Sequence, residues 1–288
     1  MQRRIRNLFS SSAYLTTYDP FARSKQQMLK EIEPVILEMA TGYNEIVAKV
    51  QDSSRSSQSS AEGQETEHLF FKALCRSALG EGITRSGVNI LSQQLACLSK
   101  SVGNSQTVAE ADDRVLVDDA SGEYMALKEA RERIVPERIV HIILGGAGPE
   151  LLADVVLASY LLETKLATKV VLQPKAIPFG TESTADDVKT LLDFLVASSE
   201  QSTQQSPDIR HMHCLNIQQR FQTHLDQGKI IIRPNTVWSN PITGRYLGSR
   251  YPELYEELKT AELVIVKGDF LYRKLLADVS TWASSTLS

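Results

Sequence analysis

The sequence has little of several features that mark specialised classes of protein. Its 288 residues include only three cysteines, at positions 75, 97 and 214, and this odd, widely spaced set predicts neither a disulfide framework nor a zinc site. No apolar run reaches the ~20 residues that are needed to span a bilayer. A formal net charge of −4 disfavours nucleic-acid and membrane-surface partners, because these select a basic face. We therefore expect a cytoplasmic protein with reduced thiols.

What is present is an ordinary globular composition, with 42% hydrophobic and 23% charged residues. Residues 1–114 are predicted to form a mainly helical region, because apolar residues such as Ile32, Ile36 and Met39 recur at helical steps. A Ser/Gln-rich stretch at 51–66 has no aliphatic side chain larger than alanine and is predicted to be a disordered loop. The basic, hydroxyl-rich start of the chain is compatible with a transit peptide or with a frayed terminus.

From residue 115 to residue 288, apolar runs alternate with helix-like segments. The runs "ERIVHIIL", "TKVVLQP", "IIIRPN" and "ELVIVK" have the β-branched character of buried strands. Strands that alternate with helices predict a parallel sheet with helices on both faces, and hence a Rossmann-like three-layer α/β domain preceded by the helical region. Such sheets bind ligands at the carboxyl ends of their strands. The residues at these ends are Gly145, Gly146, Pro174, Lys175, Asn235 and Asp269.

The glycine-rich turn after the first strand allows three interpretations. Its backbone N–H groups could bind a phosphate at a helix N-terminus, or the turn could hold part of S-adenosylmethionine. It could also be a tight turn that uses the conformational freedom of glycine. The sequence "GGAGPE" contains neither G-x-G-x-x-G nor G-K-[ST], which disfavours a dinucleotide site and a P-loop.

A carboxylate follows the last predicted strand. Asp269 can bind a hard cation such as Mg²⁺ or Mn²⁺, or it can cap the short helix that begins there. Arg273 and Lys274 come one helical turn later. They either bind a phosphate group or lie on a solvated helix face.

Two segments together resemble the motifs of a known family. "LVIVKGDFLYRKLLAD" is similar to the closing motif of the damage-control phosphatases, which usually has Gly-Asp, a leucine-like residue, Asn and then Tyr-Arg-Lys. These proteins have also been described as acidic-residue or protein-glutamate methyltransferases. "IILGGAGPELLADVV" resembles the earlier motif, normally aliphatic-Asp-Asn-Ala-Gly-Phe-Glu-Leu with an Asp four residues after that Glu. The similarity runs from about Glu67 to Trp282.

The resemblance implies metal-dependent hydrolysis of reactive sugar phosphates and related small, anionic metabolites. The divalent ion, Mn²⁺, Ni²⁺ or Mg²⁺, would be held by the Asp-Asn pair and by Asp269, and would polarise the phosphoryl oxygen and activate water. We predict Asp269, Glu150 and Asp154 as the catalytic residues, with Glu150 or Asp154 either substituting for a lost metal ligand or acting as a general base. The resemblance implies that a lysine and backbone amides bind the other phosphoryl oxygens, and we predict Lys175, Arg273, Lys274, Gly145 and Gly146 as the residues that bind the substrate or its phosphate.

The chain departs from the family pattern at the metal ligands. Gly145 and Gly146 stand where the family has Asp-Asn, and Leu271 stands where it has Asn. One remaining carboxylate with waters holds a hard divalent ion poorly, so the glycines are interpreted as replaced ligands. Three alternatives to the phosphatase prediction follow. The chain could be a metal-free enzyme of specialised metabolism that catalyses condensation or acyl transfer, for example to a cyclodipeptide-type product, an S-adenosylmethionine-dependent methyltransferase, or a pseudoenzyme.

Overall fold

The computed structural model describes a subset of the chain, which covers most of the predicted α/β region. The described residues are 4, 7–9, 11–16, 18–34, 36–37, 40–44, 47–48, 67–69, 71–72, 74–75, 117, 119–133, 135, 137–201 and 209–277. The loop predicted to be disordered, at 51–66, lies outside these residues, and so does the predicted domain boundary at 114/115.

The centre of the fold is a parallel sheet. Among the described residues its strands are β1 (Ile139–Ile143), β2 (Lys169–Gln173), β3 (Ile230–Ile232) and β4 (Leu263–Val266). They lie in the order β3-β2-β1-β4, and every neighbouring pair is parallel. After its first residue, each of β1 and β2 is buried throughout, as expected for strands that are covered on both faces. The predicted α/β parallel-sheet fold is confirmed.

Helices surround this sheet and form the described part of the N-terminal region. They are α1 (Ala22–Glu31), α2 (Ala120–Glu132), α3 (Pro149–Glu163), α4 (Ala185–Gln201), α5 (Ile209–Asp226), α6 (Leu247–Arg250), α7 (Pro252–Lys259) and α8 (Asp269–Leu276), with 3₁₀ turns at Thr236–Ser239 and Gly244–Tyr246. Further helical residues occur at 33–34, 36–37, 40–44, 47–48, 67–69, 71–72 and 74–75. None of the described helices is long and apolar enough to cross a membrane.

The N-terminal helices pack into the same hydrophobic core as the sheet. Leu29 of α1 and Tyr43 belong to one buried cluster with Val140 of β1 and Leu151 of α3. Lys25 of α1 is buried as well, and its ammonium group donates a hydrogen bond of 2.7 Å to Asp187 at the start of α4. A separate smaller cluster lies under β4 and α8 and consists of Ile143, Val237, Trp238, Leu254 and Leu271.

The order of the strands determines where a crevice can form. From β1 the chain continues to β2 and β3 on one side, and β4 is added on the other side. The side on which strands are added therefore changes between β1 and β4, although these two strands are parallel. Parallel sheets bind their ligands at such a topological switch point. Ile143 is paired with Val266 there, and a Cβ atom at Gly268 would lie only 3.4 Å from the Cα atom of Gly145. The two predicted motifs are thus side by side at one edge of the sheet.

Candidate functional site

The turn after β1 is covered by the loop between β2 and α4. Gly146 pairs with Glu182 of this loop in an isolated antiparallel bridge, and the N–H group of Ala147 donates to the carbonyl oxygen of Thr181 at 2.7 Å. The hydroxyl group of Ser183 donates to the carbonyl oxygens of Gly145 and Gly146, at 2.7 and 2.8 Å. The N–H groups of residues 146 and 147 are both used within the protein. A phosphate bound by them would have to displace these bonds.

Space, and not backbone conformation, explains the glycines at 145 and 146. The glycines with positive φ among the described residues are Gly180, Gly228 and Gly268, so the conformational freedom of glycine is not used at 145 or 146. A Cβ atom at position 145 would lie 2.8 Å from Oε2 of Glu150 and 3.2 Å from the backbone carbonyl of Lys267. At position 146 it would lie 3.0 Å from the same Glu150 oxygen. The Glu150 carboxyl group therefore fills the room above this turn.

Glu150 lies in the first turn of α3 and is almost completely buried. Its carboxyl group accepts a hydrogen bond of 2.7 Å from the N–H group of Gly146. Burial raises the pKa of Glu150 to about 7, the Gly146 hydrogen bond opposes this change, and the nearby Asp154 adds to it. A carboxyl group with a pKa near 7 can gain or lose a proton at neutral pH, which is what a general acid or base requires.

Beneath Glu150 lies a buried ion pair that joins α3 to the end of β4. The side chains of Asp154 and Lys267 are 0% and 1% exposed, and their charged groups are in contact. Neither oxygen of Asp154 has the geometry of a hydrogen bond with a described residue, although the pair is in contact. Burial raises the pKa of Asp154, and the Lys267 ammonium group opposes that change.

A second buried ion pair joins the end of β2 to the covering loop. Lys175 is fully buried, donates to the carbonyl oxygen of Leu144 and contacts the carboxylate of Glu182. Burial lowers the pKa of Lys175, and Glu182 opposes this change. The backbone of Lys175 also bridges to Thr184 and Asn235. The ammonium group of Lys175 thus points into the protein, beside the β1 turn, and its predicted role in phosphate binding stays a prediction.

The end of β4 is more open. Asp269 begins α8, and its carboxylate pairs with Arg273, with side chains 32% and 56% exposed. The ammonium group of Lys274 donates to the backbone and side-chain oxygens of Asn240, at 2.7 and 2.9 Å, and to the carbonyl oxygen of Ile242. Lys274 therefore holds the 240–242 loop against α8. To bind a phosphate group, Lys274 would have to give up these hydrogen bonds.

The structure brings some of the predicted residues together and adds two that the sequence did not reveal. Glu150, Asp154 and Lys175 share one buried cluster with Glu182 and Lys267, which we call the charged cluster. Asp269 and Arg273 lie at the neighbouring strand end, nearer the surface. The sequence feature that could have identified Lys267 is its position directly after an apolar strand. For Glu182 there was no periodic signal, because it lies in a loop.

The described residues contain no group of three or more His, Cys, Asp or Glu side chains arranged to hold a metal ion. Residues 145 and 146 offer no side-chain oxygen, and Leu271, at the place of the family's Asn, is buried in the cluster under β4. Of the predicted metal ligands, only Asp269 carries a carboxylate, and it is paired with Arg273.

Comparison with known proteins gives a consistent family. A profile of the damage-control phosphatase ARMT1-like domain matches residues 1–286. The chain is 26% identical over 284 residues to damage-control phosphatase ARMT1 of Macaca fascicularis, and this covers 96% of the chain and 58% of that protein. The values for the Homo sapiens protein are the same, and the Danio rerio protein is 25% identical over 288 residues. The chain spans 58% of the length of these relatives.

Proposed function

The chain belongs to the damage-control phosphatase ARMT1-like family, and we propose that it hydrolyses phosphoesters of small phosphorylated metabolites at the edge shared by β1 and β4. The match over residues 1–286 confirms the family that the two sequence motifs predicted. The observation that carries the proposal is the buried Glu150 carboxyl group, which accepts a hydrogen bond of 2.7 Å from the Gly146 N–H group at the end of β1. Sheets of this topology bind their ligands at that position.

A divalent metal ion is what the family resemblance implies, and the side chains present do not fit one. Hard cations such as Mg²⁺ and Mn²⁺ require several oxygen ligands, preferably carboxylates. Residues 145 and 146 supply none, Leu271 is apolar, and the Asp269 carboxylate is paired with Arg273. We therefore assign no step of the reaction to a metal ion.

The proposed chemistry uses Glu150 as the proton acceptor. Its carboxylate takes a proton from a water molecule as the water oxygen attacks phosphorus. The bond from phosphorus to the leaving oxygen then breaks, and the alkoxide takes a proton from solvent to give an alcohol and inorganic phosphate. Glu150 releases the proton that it took to solvent and is a carboxylate again. Gly146 is partly exposed, so this edge of the charged cluster reaches solvent.

Exposed positive charge at this edge favours an anionic substrate. Arg273 lies in the last turn of α8, has more than half of its side chain exposed and pairs with Asp269, and its guanidinium group is the one that we propose to bind the phosphoryl oxygens. The buried ammonium groups of Lys175 and Lys267 lie below the turn, and each is paired with a carboxylate, so we assign the attraction of the anion to Arg273. The contacts of the described residues give no specific support to acyl transfer, methyl transfer or a non-catalytic role.

The test is phosphate release from a panel of sugar phosphates by the purified chain. Glu150→Gln should lower the rate by about 100-fold or more, because an amide cannot accept the proton. The matched control is Glu137→Gln, which changes an exposed glutamate at the opposite end of the sheet and should leave the rate unchanged. If no member of the panel is hydrolysed, either in chelator or with Mn²⁺, Ni²⁺ or Mg²⁺, the proposal is rejected.

A further inference from the structure

The carboxyl group of Glu150 occupies space that side chains at positions 145 and 146 would need. At position 146, the contact with Glu150 is the short one, since the next obstacle, the carbonyl oxygen of Thr181, would be 3.9 Å from a Cβ atom. Because Gly146 has no positive φ, its backbone can accept another residue. The group that a side chain there would have to move is the Glu150 carboxyl group, which is held by its hydrogen bond to the Gly146 N–H group.

The charged cluster already contains its own cations. Lys267 is paired with Asp154, and Lys175 is paired with Glu182. The remaining carboxyl group, that of Glu150, is held by a backbone N–H group. A divalent ion would have to displace these partners, and taking one member from a buried ion pair leaves the other charge uncompensated.

We propose that this site works without a divalent metal ion, with Lys267 as its resident cation and with Glu150 in the room left by Gly145 and Gly146. The inference rests on the proposed function for the position of the site. It goes beyond that function in two ways, because it replaces the ion that the family resemblance implies and it gives the two glycines a physical role. Lys267 contacts Asp154, and we assign it no step in the reaction.

Metal binding by the whole chain tests the inference without any need for hydrolysis. Metal-stripped protein is titrated with Mn²⁺, Ni²⁺ and Mg²⁺ in a calorimeter, and its melting temperature is measured with and without each ion. We expect no heat of binding and no shift in melting temperature. Binding that is lost in both Asp154→Asn and Asp269→Asn would overturn the inference. Binding that persists in both variants arises elsewhere in the chain and is consistent with it.

The hydrolysis panel separates failure of this inference from failure of the proposed function. Phosphate release that persists in chelator supports both. Release that requires an added divalent ion supports the phosphatase and overturns the metal-free site. No release in any condition, together with no metal binding, rejects the phosphatase and leaves the metal-free cluster supported.

A double-mutant cycle tests whether Glu150 fills the room. Gly146→Ala should lower the melting temperature by a few degrees in the wild-type background, because the Glu150 carboxyl group must move and weaken its hydrogen bond. In the Glu150→Ala background the same change should cost nothing or stabilise slightly, since alanine restricts the unfolded chain. Gly122→Ala in α2 is the control, because no atom lies within 4 Å of its Cβ position. Equal losses for Gly146→Ala in both backgrounds would contradict the inference.

Discussion

The ion pairs at the two ends of the sheet differ in burial. At the amino end of the strands, Lys169 pairs with Glu137 at 2.9 Å, and the side chains are 29% and 59% exposed. At the carboxyl end, Lys267 pairs with Asp154, and both side chains are buried. An exposed pair contributes about 0–1 kcal/mol, whereas a buried pair loses hydration that its attraction need not recover. Stability alone therefore does not explain why charge is buried at the carboxyl end, and this agrees with the function that we propose for that end.

The largest effect is expected when one member of the buried pair is removed. Lys267→Met leaves Asp154 without its cation in a fully buried position, and it should lower the free energy of unfolding by about 3–5 kcal/mol. Lys169→Met removes the matching cation at the amino end and should cost less than about 1 kcal/mol. Urea unfolding at pH 7.5 measures both.

A double replacement sharpens this comparison. Lys267→Met combined with Asp154→Leu removes both buried charges, and it should recover much of the stability that the single change loses, since hydrophobic replacement of a buried pair is often neutral. Similar losses in Lys267→Met and Lys169→Met would contradict the distinction between the two ends of the sheet.

The next largest effect concerns Glu150 and depends on pH. Its pKa is raised from 4.5 to about 7. Between these values the folded protein holds the proton and the unfolded chain does not, so stability falls as pH rises through this window. Glu150→Gln removes this penalty while its amide oxygen can still accept the Gly146 hydrogen bond. At pH 8 the variant should therefore be more stable than the wild type by up to roughly 3 kcal/mol, and near pH 4.5 the difference should vanish.

The measurement for this prediction is thermal or urea unfolding between pH 4.5 and 8. Glu137→Gln serves as the control, because its exposed side chain should change the free energy of unfolding by less than about 0.5 kcal/mol at any pH. Equal destabilisation by Glu150→Gln at both ends of the pH range would mean that the native site requires the carboxylate, and the direction of the predicted effect would be wrong.

The sequence predicted the strands and the edge of the sheet that carries the candidate site, because both depend on local patterns. The apolar β-branched runs became β1, β2, β3 and β4. Alternation of strands and helices fixed the parallel arrangement, so the carboxyl ends of these strands had to meet at one edge. This is why Glu150, Asp154 and Lys175 could be placed near one another before any coordinates were known.

The partners of these residues could not be predicted in the same way. Glu182 reaches Lys175 because the loop after β2 folds back over the β1 turn, and no periodicity describes the path of a loop. From the sequence, the two glycines were compatible with a ligand-binding turn and with a tight turn, and the family motif led us to interpret them as replaced ligands. Only the position of the Glu150 side chain showed that the limit is space. The partner of Lys25 could not be predicted either. This lysine lies in an amphipathic helix, and nothing in the sequence indicated that it would be buried in an ion pair with Asp187.

The smallest effect is expected at the exposed pair beside the cluster. Asp269 and Arg273 lie one turn apart in α8, and such a pair contributes about 0.3–0.5 kcal/mol, with a similar gain from an acidic residue at a helix start. Asp269→Asn should therefore cost less than about 1 kcal/mol in low salt. In 1 M NaCl the Debye length falls to about 3 Å, and the difference from wild type should nearly disappear, whereas the loss in Lys267→Met should persist because water and salt do not reach that pair. A cost for Asp269→Asn that exceeds about 2 kcal/mol, or that is the same in high salt, would place Asp269 with the buried charges and remove the contrast between the two strand ends.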